Sequence, residues 1–414
     1  MTTPRPLLPT IVLRRHEERR LQRGHLWVYS NEVDTQTTPL KGFAPGDPVT
    51  VLAQGGQPLG SGYVNPHSLI CARLISYRRD VVLDRRLLAA RLGAALALRE
   101  QLYDRPCYRL VHGEGDGLPG LVVDRYGDVL SAEAFSLGMY QRAAAILERL
   151  APLCGTRHTL IQPGPQALAH EGFSSEPVAS PDLRPSVTIQ EFGTRFRVHF
   201  AEGHKTGFFC DQRDNRRQLA TFCRDRSVLD LCCYTGGFAV QAKKMGGAAE
   251  VIGVDLDEGP LKLARENADL NQCRIRFVQA DVFPFMRDML RGGRQFDVVV
   301  LDPPKLIRSR AEIEEGTRKH FDLNRLAMQL VRPGGLLLSC TCAGLLPEAE
   351  FRKLLYAAAR QAGDPLPGQA GEELPRRGPR PMQVLARSGA AADHPIASNC
   401  PETEYLNAAW LRLG

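Results

Sequence analysis

Leu229-Asp230-Leu231-Cys232-Cys233-Tyr234-Thr235-Gly236-Gly237-Phe238 is the stretch that decides the fold. An apolar run from Ser227 ends at Asp230, turns on paired glycines and passes into helically spaced residues from Ala239 to Met245. Glycines at a strand-to-helix turn let a ligand lie against bare backbone. The Gly-x-Gly-x-x-Gly spacing that receives a pyrophosphate is absent. The same rhythm continues in Val251 to Asp255, Ile275 to Val278, Phe296 to Leu301 and Gly335 to Ser339, apolar runs separated by helical segments. Continuous Val/Ile/Leu runs suit strands buried on both faces, and helices between them imply parallel crossovers. The expected class is α/β, with a doubly wound, mostly parallel sheet.

The ends of these strands carry acids. Asp255 is placed to accept hydrogen bonds from both hydroxyls of a ribose, and Asp281 to bind the edge of an adenine. With Asp230 they lie along the crevice where open α/β sheets bind ligands. A nucleoside without pyrophosphate fits this set better than NAD, and S-adenosylmethionine is the common one. Plain turn acids and helix caps are the alternative.

The fourth run ends in Asp302-Pro303-Pro304-Lys305, an acid held by a stiff extended loop. The fifth ends in Ser339-Cys340-Thr341-Cys342-Ala343-Gly344. Thiolate addition to C6 of a pyrimidine makes C5 enamine-like and able to take a methyl group. Cytosine also needs protonation or hydrogen bonding at N3, a role for Asp302. A neighbouring Lys305 would favour the thiolate. Strand alternation puts Cys340 and Cys342 on one face, so Cys340 competes with Cys342 as nucleophile.

Outward from this domain, the first 78 or so residues read as short strands of a small β-barrel, with Val49 to Leu52, Gly60 to Val64 and Ile70 to Ile75 between Gly- and Pro-rich breaks. A helix over Asp84 to Tyr103, a hairpin around Arg125 to Asp128, a helix over Gln141 to Leu150 and a strand pair, Val187 to Phe192 with Arg195 to Phe200, make a central α/β region. The expected boundaries are 1–78, 79–200 and 201–414, with an exposed loop from Gly363 to Pro381. Among the 414 residues, 53 Lys and Arg face 46 Asp and Glu, a mild excess that permits a polyanionic partner. Eleven cysteines, an odd count without Cys-x-x-Cys, point to reduced thiols and no metal site. No run reaches the ~20 apolar residues of a membrane span, and Met1 to Arg20 lacks a secretory apolar core. A cytoplasmic location is expected.

End to end, the chain resembles the bacterial and archaeal family of PUA-domain ribosomal RNA cytosine-5 methyltransferases, which modify large-subunit rRNA. The resemblance rests on Arg23-Gly-His-Leu-Trp-Val-Tyr-Ser30, Gly60-Ser-Gly-Tyr-Val-Asn-Pro-His-Ser68, Asp116-Gly-Leu-Pro-Gly120, Gly203-His-Lys-Thr-Gly207, Asp211-Gln-Arg-Asp214, Tyr234-Thr-Gly-Gly-Phe-Ala239, Asp302-Pro-Pro-Lys305, Thr341-Cys-Ala-Gly344 and Ala392-Asp-His-Pro395. It implies an N-terminal PUA domain, a central α/β domain and a Rossmann-like methyltransferase domain. It implies that Lys205, Thr206, Asp211, Gln212 and Arg213 form the entrance to an S-adenosylmethionine pocket. Tyr234, Thr235, Gly236, Gly237 and Phe238 would underlie the cofactor's amino-acid end, and Asp255 and Asp281 its ribose and adenine. Phe208, Asp230, Leu256, Asn267, Val282 and Asp302 complete the set. Cys342 aligns with the family's catalytic cysteine and Asp302 with the acid that steadies the base. Trp27 and Tyr29 with Arg19, Arg20 and Arg23 combine stacking and phosphate-contacting groups, although Trp27 is equally suited to a barrel core.

Two departures stand out. A second cysteine that another branch of RNA cytosine-5 methyltransferases carries after the proline is Lys305 here, which leaves the proton-abstracting base unnamed. The family's common Ser-Cys-Ser-Gly is Thr341-Cys342-Ala343-Gly344. Other readings stay open: a uridine C5 enzyme, an exocyclic-nitrogen methyltransferase of guanine or adenine, or a catalytically silent RNA-binding factor. Asp393-His394-Pro395 reads as a turn before the last strand, or as lining of the site. The expected partner is large-subunit rRNA, with no membrane. The resemblance leaves a homodimer open.

Overall fold

A computed structural model describes residues 7–200, 207–363 and 379–414. Lys205, Thr206 and most of the Gly363 to Pro381 segment lie outside the described residues. The chain forms two compact units, one from the described residues within 1–189, 198–210 and 392–403, the other from 190–197, 211–391 and 404–414.

The first unit opens with a five-stranded half-barrel in the order Thr10–Val12, Pro48–Leu52, Pro58–Val64, Ala72–Ser76, Trp27–Val28. Ile11, Val28, Val49, Val51 and Leu74, all fully buried, close its interior. A second five-stranded sheet follows, in which the strands Leu121–Tyr126 and Val129–Ala134 pair around the expected hairpin. The helices Arg85–Leu102 and Leu137–Cys154 pack against it through Leu92, Met139, Ile146 and Leu150. Asp84 accepts a hydrogen bond from the Leu87 N–H at 2.8 Å, so the first helix starts one residue later than its composition suggests.

Several expected RNA-contacting groups are engaged inside this unit. The Arg20 guanidinium forks onto Glu32 at 2.7 and 2.9 Å and lies over the Tyr29 ring. The Trp27 indole donates to Glu114 at 2.8 Å, beneath the Arg73 guanidinium. Arg19 and Arg23 remain exposed. Asp393-His394-Pro395 does form a turn, but its first two side chains are buried. The Asp393 carboxylate accepts the Arg109 N–H at 2.9 Å, and its carbonyl accepts the Arg99 guanidinium at 2.7 Å. Arg99 also forks onto Asp116, and Arg109 onto Asp124.

The second unit is built on seven strands: β1 Ser227–Leu231, β2 Glu250–Asp255, β3 Arg276–Gln279, β4 Phe296–Leu301, β5 Val331–Thr341, β6 Met382–Gly389 and β7 Asn407–Leu413. Their spatial order is 3-2-1-4-5-7-6. Pairings from β3 to β5 are parallel, and β7 runs antiparallel to both β5 and β6. This is the doubly wound sheet the apolar runs predicted. Its helices are α1 Arg213–Ala220, α2 Gly237–Lys244, α3 Glu258–Leu270, α4 Val282–Arg291, α5 Ile313–Leu330 and α6 Glu348–Gln361.

The two faces of β5 explain what its residues do. Leu336, Leu338 and Cys340 pack with Leu219, Phe238, Ala242 and Trp410 on the α1/α2 side. Leu337 packs with Leu326, Leu330, Phe351 and Leu355 on the α5/α6 side. Burying such Leu and Val side chains contributes about 1.5–3 kcal/mol each. The strand ends at Thr341, and the regular alternation ends with it. Cys340 is therefore fully buried, whereas Cys342, one residue beyond, is partly exposed. The alternation expected to put both thiols on one face runs only as far as Thr341, and the two differ in burial.

Candidate active site

Strand order reverses between β1 and β4, so the loops leaving these strands open a crevice at their carboxyl ends. The loop after β1 is contorted. Cys232 and Tyr234 have φ of 60° and 49°, and Gly236 follows at 77°. Two non-glycine residues in the left-handed region store strain of order 1–3 kcal/mol each, as functional loops do. The Tyr234 N–H donates to the Asp255 carboxylate at 2.8 Å, joining the ends of β1 and β2. Asn267, fully buried on α3, donates to the Thr235 carbonyl at 3.0 Å and accepts the Arg197 N–H at 2.7 Å. It holds the loop from behind.

A side chain at Gly236 would bring Cβ within 3.2 Å of both Ala264 and Phe277, on top of its positive φ. Gly236→Ala is expected to destabilise this unit by about 1–2 kcal/mol and to weaken binding of S-adenosylhomocysteine. Paired thermal melts and titration calorimetry check it.

Asp230 lies wholly buried beneath the loop, one oxygen accepting the Ala239 N–H at 2.9 Å at the start of α2. Its other oxygen, Oδ1, has no hydrogen-bond partner among the described residues. Burial pushes its carboxyl well above the usual range, and the charges of Asp302 and Asp255 push the same way. An unpartnered buried oxygen amid acids suits a cationic ligand, and S-adenosylmethionine carries both an ammonium and a sulfonium. Asp255 is half-buried beside Leu256, an apolar side chain 63% exposed. Asp281 is exposed and caps α4 through the Phe283 N–H at 2.8 Å, with Val282 half-buried next to it. These residues fit the ribose and adenine end of the cofactor.

Asp211, Gln212 and Arg213 are all nearly buried. Asp211 accepts the Tyr405 hydroxyl at 2.6 Å, the Gln212 amide donates to Asp302 at 3.0 Å, and the Arg213 guanidinium lies over the Phe192 ring. Phe208 belongs to the first unit, where its backbone meets the Tyr126 hydroxyl. Asp302 follows β4, its N–H directed at the Leu231 carbonyl of β1. Lys305 is exposed on the same loop. Burial raises the Cys340 thiol well above the usual range, and the Asp302 charge adds to it. That thiol stays protonated.

On the opposite face, His320 of α5 lies 3.2 Å from the Thr341 hydroxyl, which also receives the Ala343 N–H. Burial lowers its imidazole from 6.5 to about 4, so it is neutral in the folded chain. Between those values the unfolded chain binds a proton that the folded one refuses, so stability falls as pH drops from about 6.5 toward 4. The loss at pH 5 should be about 2 kcal/mol. His320→Gln should flatten this slope in urea midpoints compared at pH 7 and pH 5.

Residues 152–364 match the family described as S-adenosylmethionine-dependent methyltransferase, and residues 11–77 match the PUA-like domain. Ribosomal RNA large subunit methyltransferase I of Tolumonas auensis is 38% identical over 97% of this chain and 99% of its own length. The chain belongs to the ribosomal RNA large subunit methyltransferase I family. The Photobacterium profundum member is 36% identical, over 96% of this chain and 97% of its own. A putative SAM-dependent methyltransferase from Streptococcus mutans shares the fold at a TM-score of 0.77, with 20% identity over 98% of this chain and 100% of that one. A further structure, a putative methyltransferase complexed with SAH, superposes at 0.79 with 20% identity, again over 98% and 100%. S-adenosylmethionine is thus the cofactor of this family member.

Sequence reasoning missed the residues that brace the site: Glu191, Asn215, Ser388 and Trp410. No local pattern marks the long-range pairs among them: Glu191 meets Arg216 across 25 residues, Ser388 meets Asn215 across 173 and Trp410 meets Ser388 across 22. Among the described residues one cluster has metal-ligating types, His25, Cys400 and Glu402 in the first unit. Its chemistry opposes a cation. His25 Nδ1 accepts the Trp27 N–H at 3.1 Å and sits 2.6 Å from the Arg20 guanidinium, so Nε2 carries the proton and donates to Glu402. No described helix is long and apolar enough to cross a membrane.

Proposed function

We propose that this protein methylates C5 of a cytidine in large-subunit rRNA through a transient bond between Cys342 and C6 of the base. One observation carries the reading: of two thiols near the end of β5, the outer is accessible and the inner is sealed in the core. The relatives, ribosomal RNA large subunit methyltransferases, supply the substrate class. When bound, S-adenosylmethionine supplies an electrophilic methyl group. Cys342 adds as thiolate to C6, and the electron pair of the C5–C6 double bond becomes available at C5. Asp302 holds the N3 edge. After methylation the C5 proton passes to solvent water acting as base, its electron pair restores the C5–C6 double bond, and the C6–S bond breaks to release the thiolate. Asp230, Tyr234 to Phe238, Asp255 and Asp281 hold the cofactor.

RNA carrying 5-fluorocytidine tests this, since fluorine at C5 cannot leave as a proton. A denaturation-resistant adduct should form and map by peptide mass to Cys342. An adduct at Cys340, or with 5-fluorouridine RNA alone, would overturn the thiol or the base.

A further inference from the structure

Five side chains form a continuous hydrogen-bonded line from the far edge of the sheet to the acid after β4. The Trp410 indole N–H donates to the Ser388 hydroxyl at 2.9 Å. Ser388 donates to Asn215 Oδ1 at 2.7 Å. Asn215 Nδ2 donates to Gln212 Oε1 at 2.6 Å and lies 3.2 Å from the Gly389 carbonyl. Gln212 Nε2 donates to Asp302 Oδ2 at 3.0 Å. The Cys340 thiol lies beside the same amide. Gln212, Asn215 and Trp410 are all at least nine-tenths buried.

The line has a single sense. An indole N–H only donates, so Ser388 accepts it and turns its own proton toward Asn215. That leaves the Asn215 amide nitrogen for Gln212, whose oxygen is thereby occupied and whose nitrogen must face Asp302. The Gly389 carbonyl opposes any flip of Asn215, since reversing it would set two oxygens together. Neither amide can be turned without leaving buried groups unpaired, at a cost of about 1–3 kcal/mol each.

We infer that Asn215 and Ser388 are positioning residues, which fix the Gln212 amide so that it delivers an N–H to Asp302 and holds that carboxylate in one rotation for the target base. The inference rests on the proposed role of Asp302. A carboxylate held by a preset donor does not have to reorient as the base arrives. It also gives buried Cys340 a place in the site, as a small neighbour filling the space beside the Gln212 amide.

The test is steady-state methyl transfer with full-length protein and unmodified large-subunit rRNA, together with S-adenosylhomocysteine affinity and thermal melts. Asn215→Asp replaces the donor to Gln212 with an acceptor and so turns the amide oxygen toward Asp302. It should lower kcat at least 30-fold while KM for S-adenosylmethionine stays within threefold. Ser388 is half-exposed at the sheet edge, so truncating it opens no core cavity. Ser388→Ala should lower kcat 3- to 10-fold, and Ser388→Thr, which keeps the hydroxyl, should restore it. If Ser388→Ala matches wild type, or if Ser388→Thr is as slow as Ser388→Ala, the inference is overturned even where Asn215→Asp does not fold. Asp302→Asn, run alongside, separates the two levels. Loss of turnover there with normal kcat in the positioning variants defeats the relay alone, whereas full turnover defeats the role given to Asp302.

Discussion

Cys342→Ala is expected to reduce methyl transfer to large-subunit rRNA by about 10³-fold or more, with RNA affinity and thermal stability unchanged. The side chain lies past the end of β5 and is partly exposed, so its removal opens no core cavity. Without it C5 of the base is not nucleophilic enough to react, and no neighbouring thiol substitutes. Cys340 is walled in by Leu338, Ala408 and Trp410 and kept protonated. Cys340→Ala should instead cost packing energy and leave a substantial rate. Filter binding, melting curves and tritium transfer from labelled cofactor measure the three quantities. Turnover near wild type in Cys342→Ala would eliminate the covalent mechanism.

Arg216→Ala should be the most destabilising single change in the second unit. Its guanidinium forks onto Glu191 with both contacts at 2.8 Å, and the two side chains are 3% and 0% exposed. Truncation strands a buried carboxylate, which costs about 3–5 kcal/mol. For a unit of this size that lowers Tm by on the order of 10 °C. The Arg216 side chain also lies under Gly237, within 3.2 Å of where a Cβ would stand, so the cofactor loop loses its floor. S-adenosylhomocysteine affinity should fall with stability. The pair Arg216→Met with Glu191→Leu should recover most of the melting temperature, because the stranded charge is gone. A single variant melting within 2 °C of wild type, measured by calorimetry, would contradict this account.

The sheet was legible because its signals are local. β1, β2 and β4 each read as an apolar run closed by an acid, and burial on both faces requires that pattern. The glycine turn announced itself for the same reason. The thiols were harder: period-two alternation says which residues share a face but not where a strand stops, and Thr341 settles that only once β7 is paired beside it. The pairing of Arg20 with Glu32, twelve residues on, was not legible, because no local pattern ties the two together. Gln212 looked like part of a cofactor entrance. Its amide also reaches Asp302, a partner ninety residues away that no spacing rule reveals.

Arg99 and Asp393 are joined across 294 residues, and the stretch 392–403 belongs with the first unit although it is written near the chain's end. On a ribosome the first unit therefore cannot finish folding when its early strands emerge. Until residues 392–403 are made, Arg99 and the Arg109 N–H wait without one of their buried acceptors, and the nascent first unit is open to chaperones and proteases. A stop codon before position 392 would damage the amino-terminal half of the molecule as surely as the carboxyl-terminal half.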